Sequence, residues 1–170
     1  LRKAKRKTTI PSVTVLAPKG ARKQMAVLEE MAESDFAVNV REVDAARFAN
    51  LHKYKIKDDF VMASPSAMFK FIIPDLFGDL DRILYIDTDL IVRKDLYELF
   101  MSRLGEKYLC AVPDMWAPVA SRDDIKGYER YFNSGVMLMN LSLMRQEGLP
   151  EKLVQTKRNT TNFNLMDQDV

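Results

Sequence analysis

A strand–helix–strand pattern in the first quarter of the chain constrains its fold more than any other feature. Ser12–Ala17 (SVTVLA) is a short run rich in β-branched residues, and Pro18-Lys19-Gly20 reads as a turn. Residues 21–33 place Met25, Leu28 and Met31 at helical spacing, and Phe36–Val43 (FAVNVREV) alternates as a strand does. Two strands joined through a helix are expected to be parallel, because parallel neighbours need a crossover rather than a tight turn. The expectation is an α/β domain that binds its ligand at the carboxyl ends of its strands.

The alternation continues. Ser64-Pro65-Ser66 opens a helix with a serine cap and a proline in the first turn. Its apolar body, AMFKFIIPDLF, is expected to bend or end at Pro74. Asp81–Val92 reads as the central strand, Leu96–Met101 as a short helix, and Tyr108–Val112 and Gly135–Leu141 as further strands. Met139–Arg145 and Pro150–Lys157 have helical spacing, and residues 156–164 read as a polar loop. No repeat or linker divides the chain, and its 170 residues suit one domain.

Several classes are excluded. No run approaches the ~20 apolar residues of a membrane span; the longest apolar stretches are broken by Lys70, Asp75, Asp87 and Asp89. The basic start is not followed by the apolar core of a signal peptide. With Cys110 as the sole cysteine, neither an intrachain disulfide nor a cysteine-zinc site is available, and Cys110 is expected to pack as a small apolar residue. Residues 1–9 carry five bases and no acid, which leaves 21 bases against 24 acids in the remainder. That start reads as a solvated end, or as a contact for phosphates or an anionic membrane surface. No basic stripe with interleaved aromatics points to nucleic acid.

The stretch Leu84–Val92, LYIDTDLIV, sets two carboxylates at the end of an apolar strand. Along extended backbone Asp87 and Asp89 would point the same way, with Thr88 opposite. Two such carboxylates repel unless protonated or sharing a cation. Mg²⁺ or Mn²⁺ suits them, because these hard ions take one or two carboxylates plus phosphate oxygens. The competing reading is a strand-end turn capped by Asp87. Asn133-Ser134-Gly135, ahead of the apolar VMLM, reads either as a plain turn into a strand or as a close backbone approach to a ligand. Asp167-Gln168-Asp169 reads either as a helix cap or as part of a site.

Taken together, SAMFKFIIPDLFGDLDRILYIDTDLIVRKDLYELF, YFNSGVMLMNLSLMR and DQDV, in this order and spacing, resemble glycosyltransferase family 8 over residues 12–170. The resemblance implies a GT-A fold, a Rossmann-like nucleotide-diphospho-sugar transferase with a mixed, mostly parallel central sheet flanked by helices. It implies a retaining, metal-dependent transferase that moves a hexose of the glucose or galactose type from a UDP-sugar donor to a saccharide or glycolipid acceptor, as in lipopolysaccharide biosynthesis. Asp87 and Asp89 would bind Mn²⁺ (or Mg²⁺) bridging the diphosphate, with Asp87 also near the ribose. Asn133, Ser134 and Gly135 would line the donor-sugar pocket. Asp167 would hold sugar hydroxyls, Gln168 would lie close to the reacting carbon, and Asp114 would face the acceptor.

The sequence departs from the family pattern in three places. Lys70 stands where an arginine assisting donor binding is expected; lysine keeps the charge but loses the bidentate fork. The base-binding strand and loop expected before Ser12, and a metal-binding histidine expected beyond Val170, are not in the sequence, so the domain reads as incomplete at both ends. His52 matches no family ligand. Gln168 is a poor nucleophile, which favours same-face attack over a covalent intermediate. Two other readings compete. One is a haloacid-dehalogenase-like phosphatase with Asp87 as nucleophile. The other is a module that binds a sugar nucleotide without turnover. The polar stretch from Trp116 to Tyr131 suits a sugar or glycolipid head. Localisation is expected to be cytoplasmic, at the inner face of a membrane; the sequence sets no oligomeric state.

Overall fold

The computed structural model describes residues 12–32, 36–48, 51, 53–56, 59–62, 64–114 and 131–159. Strand β1 (Ser12–Pro18) leads through helix α1 (Arg22–Glu29) to β2 (Ala37–Val43). The two strands pair in parallel, from Ser12 opposite Ala37 to Pro18 opposite Val43. Helix α1 is thus the crossover that parallel neighbours need. At the carboxyl ends of this pair, the Lys19 amide donates to the Val43 carbonyl (2.9 Å) and the Gly20 amide to Glu42 Oε1 (2.7 Å). Gly20 has φ 89°, a left-handed conformation that glycine adopts without a Cβ penalty.

A short 3₁₀ turn, Ala45–Phe48, follows, then an antiparallel pair with no counterpart in the sequence reading, β3 (Lys53–Ile56) with β4 (Asp59–Met62). The helix expected from Ser64 does form, but as a 3₁₀ segment over Pro65–Ile72, followed by one α-helical turn, α2 (Ile73–Leu76). Ser64 caps it, accepting from the Ser66 amide at 3.3 Å. Pro74 offers no N–H to the Lys70 carbonyl four residues back, which removes the α-helical bond that would widen the segment. Proline thus sits inside the first turn of α2 rather than ending a longer helix.

The three-stranded sheet runs in the order β5 (Arg82–Ile86), β7 (Phe132–Asn140), β6 (Leu109–Pro113), and every pairing in it is antiparallel. Among the described strands β1–β2 pairs in parallel and β5–β7–β6 antiparallel, a mixed set. A peptide that enters a sheet after a long excursion is free to run either way. Helices α3 (Tyr97–Phe100), α4 (Leu141–Gln146) and α5 (Leu149–Asn159) complete the described elements. Asn140 caps α4 by accepting from the Leu143 amide at 3.2 Å.

Two apolar clusters hold these pieces. Val43, Phe48, Leu51, Met68, Phe69, Phe71, Ile72 and Val154 form one; Ile73, Met137, Met139, Leu141 and Met144 form the other. Leu16 of β1 packs against both and joins them. The alternate residues Ile83 and Tyr85 of β5 face the second cluster. The next position on that face is Asp87.

Candidate functional site

Strand β5 stops at Ile86, six residues short of the strand end expected at Val92. Asp87 makes one further ladder bond, its amide donating to the Gly135 carbonyl at 2.8 Å, and Thr88 and Asp89 then turn away. The expected extended backbone through Asp89 is thus corrected: the two carboxylates leave a strand end and a turn rather than one straight strand. Asp89 is exposed, and the Asp87 side chain is 38% exposed.

Strand β7 begins at Phe132, so Asn133-Ser134-Gly135 lies inside the strand and not in a turn ahead of it. That placement gives each residue a task. Asn133 Oδ1 accepts from the Gly135 amide at 2.9 Å. Ser134 is buried and receives Lys70, whose ammonium donates to its carbonyl (3.3 Å) and its Oγ (3.2 Å). Gly135 lies opposite Asp87: a Cβ there would stand 3.0 Å from Asp87 Oδ2 and 3.0 Å from Asn133 Oδ1. Glycine is needed for that close approach and not for an unusual backbone angle.

Lys70 comes from the 3₁₀ segment and is 6% exposed. Its ammonium lies 3.6 Å from Asp87 Oδ1 and 4.9 Å from the centroid of the Tyr85 ring. Tyr85 donates its hydroxyl to the same Asp87 Oδ1. A buried ammonium is held by partners that offset its desolvation, and here they are a carboxylate, a carbonyl, a hydroxyl and an aromatic face. Lys70 thus ties Ser134 to Asp87. Tyr85 was missed in the sequence, although its i, i+2 spacing from Asp87 on a strand would have placed both on one face.

Of the expected site residues, the structure brings together Lys70, Asp87, Asn133, Ser134 and Gly135, with Asp89 on the adjoining turn. Asp167, Gln168 and His52 lie outside the described residues, as do the basic start and most of the Trp116–Tyr131 stretch. Asp114 is half-buried just after β6, its amide donating to the Tyr131 carbonyl at 3.1 Å. Cys110 is half-buried on β6 and lines a shallow groove of about 270 Å³ that includes neither Asp87 nor Lys70. Among the described residues no helix is long and apolar enough to cross a membrane. None of their His, Cys, Asp and Glu side chains form a group of three that could hold a metal.

The donor set nevertheless fits a hard divalent ion shared with a phosphate. It offers oxygen only, from two carboxylates accessible to solvent, and Asp87 Oδ2 has the space that a side chain at position 135 would fill.

A family model described as glycosyl transferase family 8 matches residues 11–170. Glycosyltransferase GlyE of Streptococcus pneumoniae serotype 4 is 33% identical over 102 residues, which is 59% of this chain and 22% of GlyE. Lipopolysaccharide 1,3-galactosyltransferase of Salmonella typhimurium is 30% identical over 115 residues, which is 60% of this chain and 33% of that enzyme. Among solved structures, the galactosyltransferase LgtC, in complex with donor and acceptor sugar analogs, superposes with a TM-score of 0.62 at 19% identity, covering 93% of this chain and 68% of that one. At this identity the likeness is one of fold, and the fold is GT-A. The chain thus spans about a fifth of GlyE and a third of the Salmonella enzyme.

Proposed function

Because the chain belongs to glycosyl transferase family 8, we propose that it is the donor-binding part of a retaining glycosyltransferase that uses a UDP-sugar and a divalent cation. One observation carries the reading. Gly135 is packed against Asp87 so closely that a methyl group would meet the carboxylate at 3.0 Å. That links two separate motifs, Asp87-Thr88-Asp89 and Asn133-Ser134-Gly135, in one place.

In this reading Asp87 and Asp89 would hold Mn²⁺ (or Mg²⁺) together with the diphosphate. When bound, the cation supplies Lewis-acid stabilisation of the charge that develops on the departing nucleotide. Lys70 and Ser134 hold the Asp87 side of the site in place from beneath. Asn133 Oδ1 fixes the backbone at Gly135, where the donor sugar would approach the strand end. The family resemblance assigns Asp167 to the sugar hydroxyls and Gln168 to the anomeric carbon. The acceptor hydroxyl attacks that carbon from the face the nucleotide leaves. The bond to the diphosphate oxygen breaks, the bond to the acceptor oxygen forms, and the acceptor proton passes to the departing phosphate.

A hexose donor of the glucose or galactose type and a saccharide or glycolipid acceptor extend to this chain the kind of transfer named for one relative, lipopolysaccharide 1,3-galactosyltransferase. A glycolipid acceptor would place the protein at the cytoplasmic face of a membrane, where the basic residues Arg2, Lys3, Lys5, Arg6 and Lys7 meet anionic headgroups. Family membership sets the phosphatase reading aside.

The test is thermal stability of the full-length protein with UDP plus Mn²⁺, with UDP plus EDTA, and with Mn²⁺ alone, followed by UDP-sugar turnover. A joint shift that Asp87→Ala and Asp89→Ala abolish supports the reading. Without any joint shift the reading fails. A joint shift with no sugar transfer to any saccharide acceptor leaves a binding module.

A further inference from the structure

We propose that Tyr85 is a positioning residue for Asp87: with Lys70 it anchors Oδ1, so that Oδ2 is the oxygen presented to a ligand. The inference rests on the reading of Asp87 as a metal-diphosphate carboxylate. Among the described residues, the hydrogen bond and the ion pair made by the Asp87 carboxylate converge on Oδ1, from the Tyr85 hydroxyl and from the Lys70 ammonium at 3.6 Å. Oδ2 lies instead against Gly135.

The arrangement is built, not incidental. Tyr85 packs its ring against the second apolar cluster, so the hydroxyl leaves a fixed platform. Lys70 lies over the same ring and is itself tied to Ser134 by two hydrogen bonds. The terminal torsion of an aspartate is broad and roughly two-fold, so an untethered carboxylate offers either oxygen. A charge-assisted bond from a phenol narrows that choice to one. Phenylalanine would fill the core as well as tyrosine does; the hydroxyl serves the carboxylate.

The experiment measures Mn²⁺ affinity of the full-length protein in the presence of UDP, from the free-Mn²⁺ signal in electron paramagnetic resonance, for wild type, Tyr85→Phe and Tyr97→Phe. Tyr97 is exposed on α3 and serves as the control. Loss of an outer partner of a metal-binding group lowers metal affinity on the order of 10- to 100-fold, so Tyr85→Phe should raise the Mn²⁺ dissociation constant about tenfold. Tyr97→Phe should leave it unchanged, and the ligand-free melting temperature of Tyr85→Phe should stay close to that of wild type. Wild-type affinity in Tyr85→Phe overturns the inference and leaves the metal site standing. A large fall in the ligand-free melting temperature of Tyr85→Phe also overturns it, because the hydroxyl then serves the fold. Absence of Mn²⁺ binding in wild type removes the underlying reading and this inference with it.

Discussion

Replacing Gly135 by alanine should separate binding from stability more sharply than any other single change. The new methyl would sit 3.0 Å from Asn133 Oδ1 and 3.0 Å from Asp87 Oδ2, so both oxygens must retreat by a few tenths of an ångström. Asn133 would weaken its bond to the amide of residue 135, worth about 1 kcal/mol. Asp87, tethered by Tyr85 and Lys70, would leave its preferred torsion at a cost of about 1 kcal/mol. Alanine also removes freedom from the unfolded chain, which returns roughly 0.4–1 kcal/mol. The net effect on folding is therefore a loss of about 1 kcal/mol, or roughly 2–4 °C in melting temperature. If the same ~2 kcal/mol of displacement is set against ligand binding, affinity falls about thirtyfold. At a ligand concentration 100 times the wild-type Kd, stabilisation by UDP plus Mn²⁺ drops from about 2.7 to about 0.9 kcal/mol. Thermal denaturation with and without the two ligands reads both quantities. A wild-type ligand shift in Gly135→Ala would refute the argument, since Asp87 would then tolerate displacement or take no part in binding.

Other changes discriminate among the parts. Asp89→Ala, at an exposed turn, should leave ligand-free stability within about 0.5 kcal/mol while abolishing the joint UDP–Mn²⁺ shift. Asp87→Ala should abolish the shift and also cost about 1–2 kcal/mol, because the buried Lys70 keeps Ser134 but loses a carboxylate whose charge solvent already screens in part. Equal ligand-free melting temperatures for the two variants would contradict the ion pair. Asn140→Ala should lower stability by about 1 kcal/mol through the lost cap of α4, with the ligand shift intact. Arg145 donates to the carbonyls of Pro74, Phe77 and Leu80, so Arg145→Met should cost about 2–3 kcal/mol in denaturant unfolding.

The local pattern of the sequence was enough for the elements whose signal is periodic. Met25 and Leu28 mark α1, the alternation over residues 36–43 marks β2, and the connection between flanking strands makes their pairing parallel. The aspartate pair and the Asn133-Ser134-Gly135 stretch were visible as candidates because carboxylates at an apolar strand end and a glycine before an apolar run are locally anomalous. Their meeting was not visible. It depends on β7 lying antiparallel between β5 and β6, a pairing between segments some fifty residues apart that no local period encodes. The tertiary structure alone decided three things: that β7 begins early enough to take the motif into the strand, that Gly135 faces Asp87, and that Lys70 reaches Asp87 from a 3₁₀ segment. Residue chemistry is written in the chain one position at a time, whereas the side on which a charge finds its partner is set by packing between distant segments.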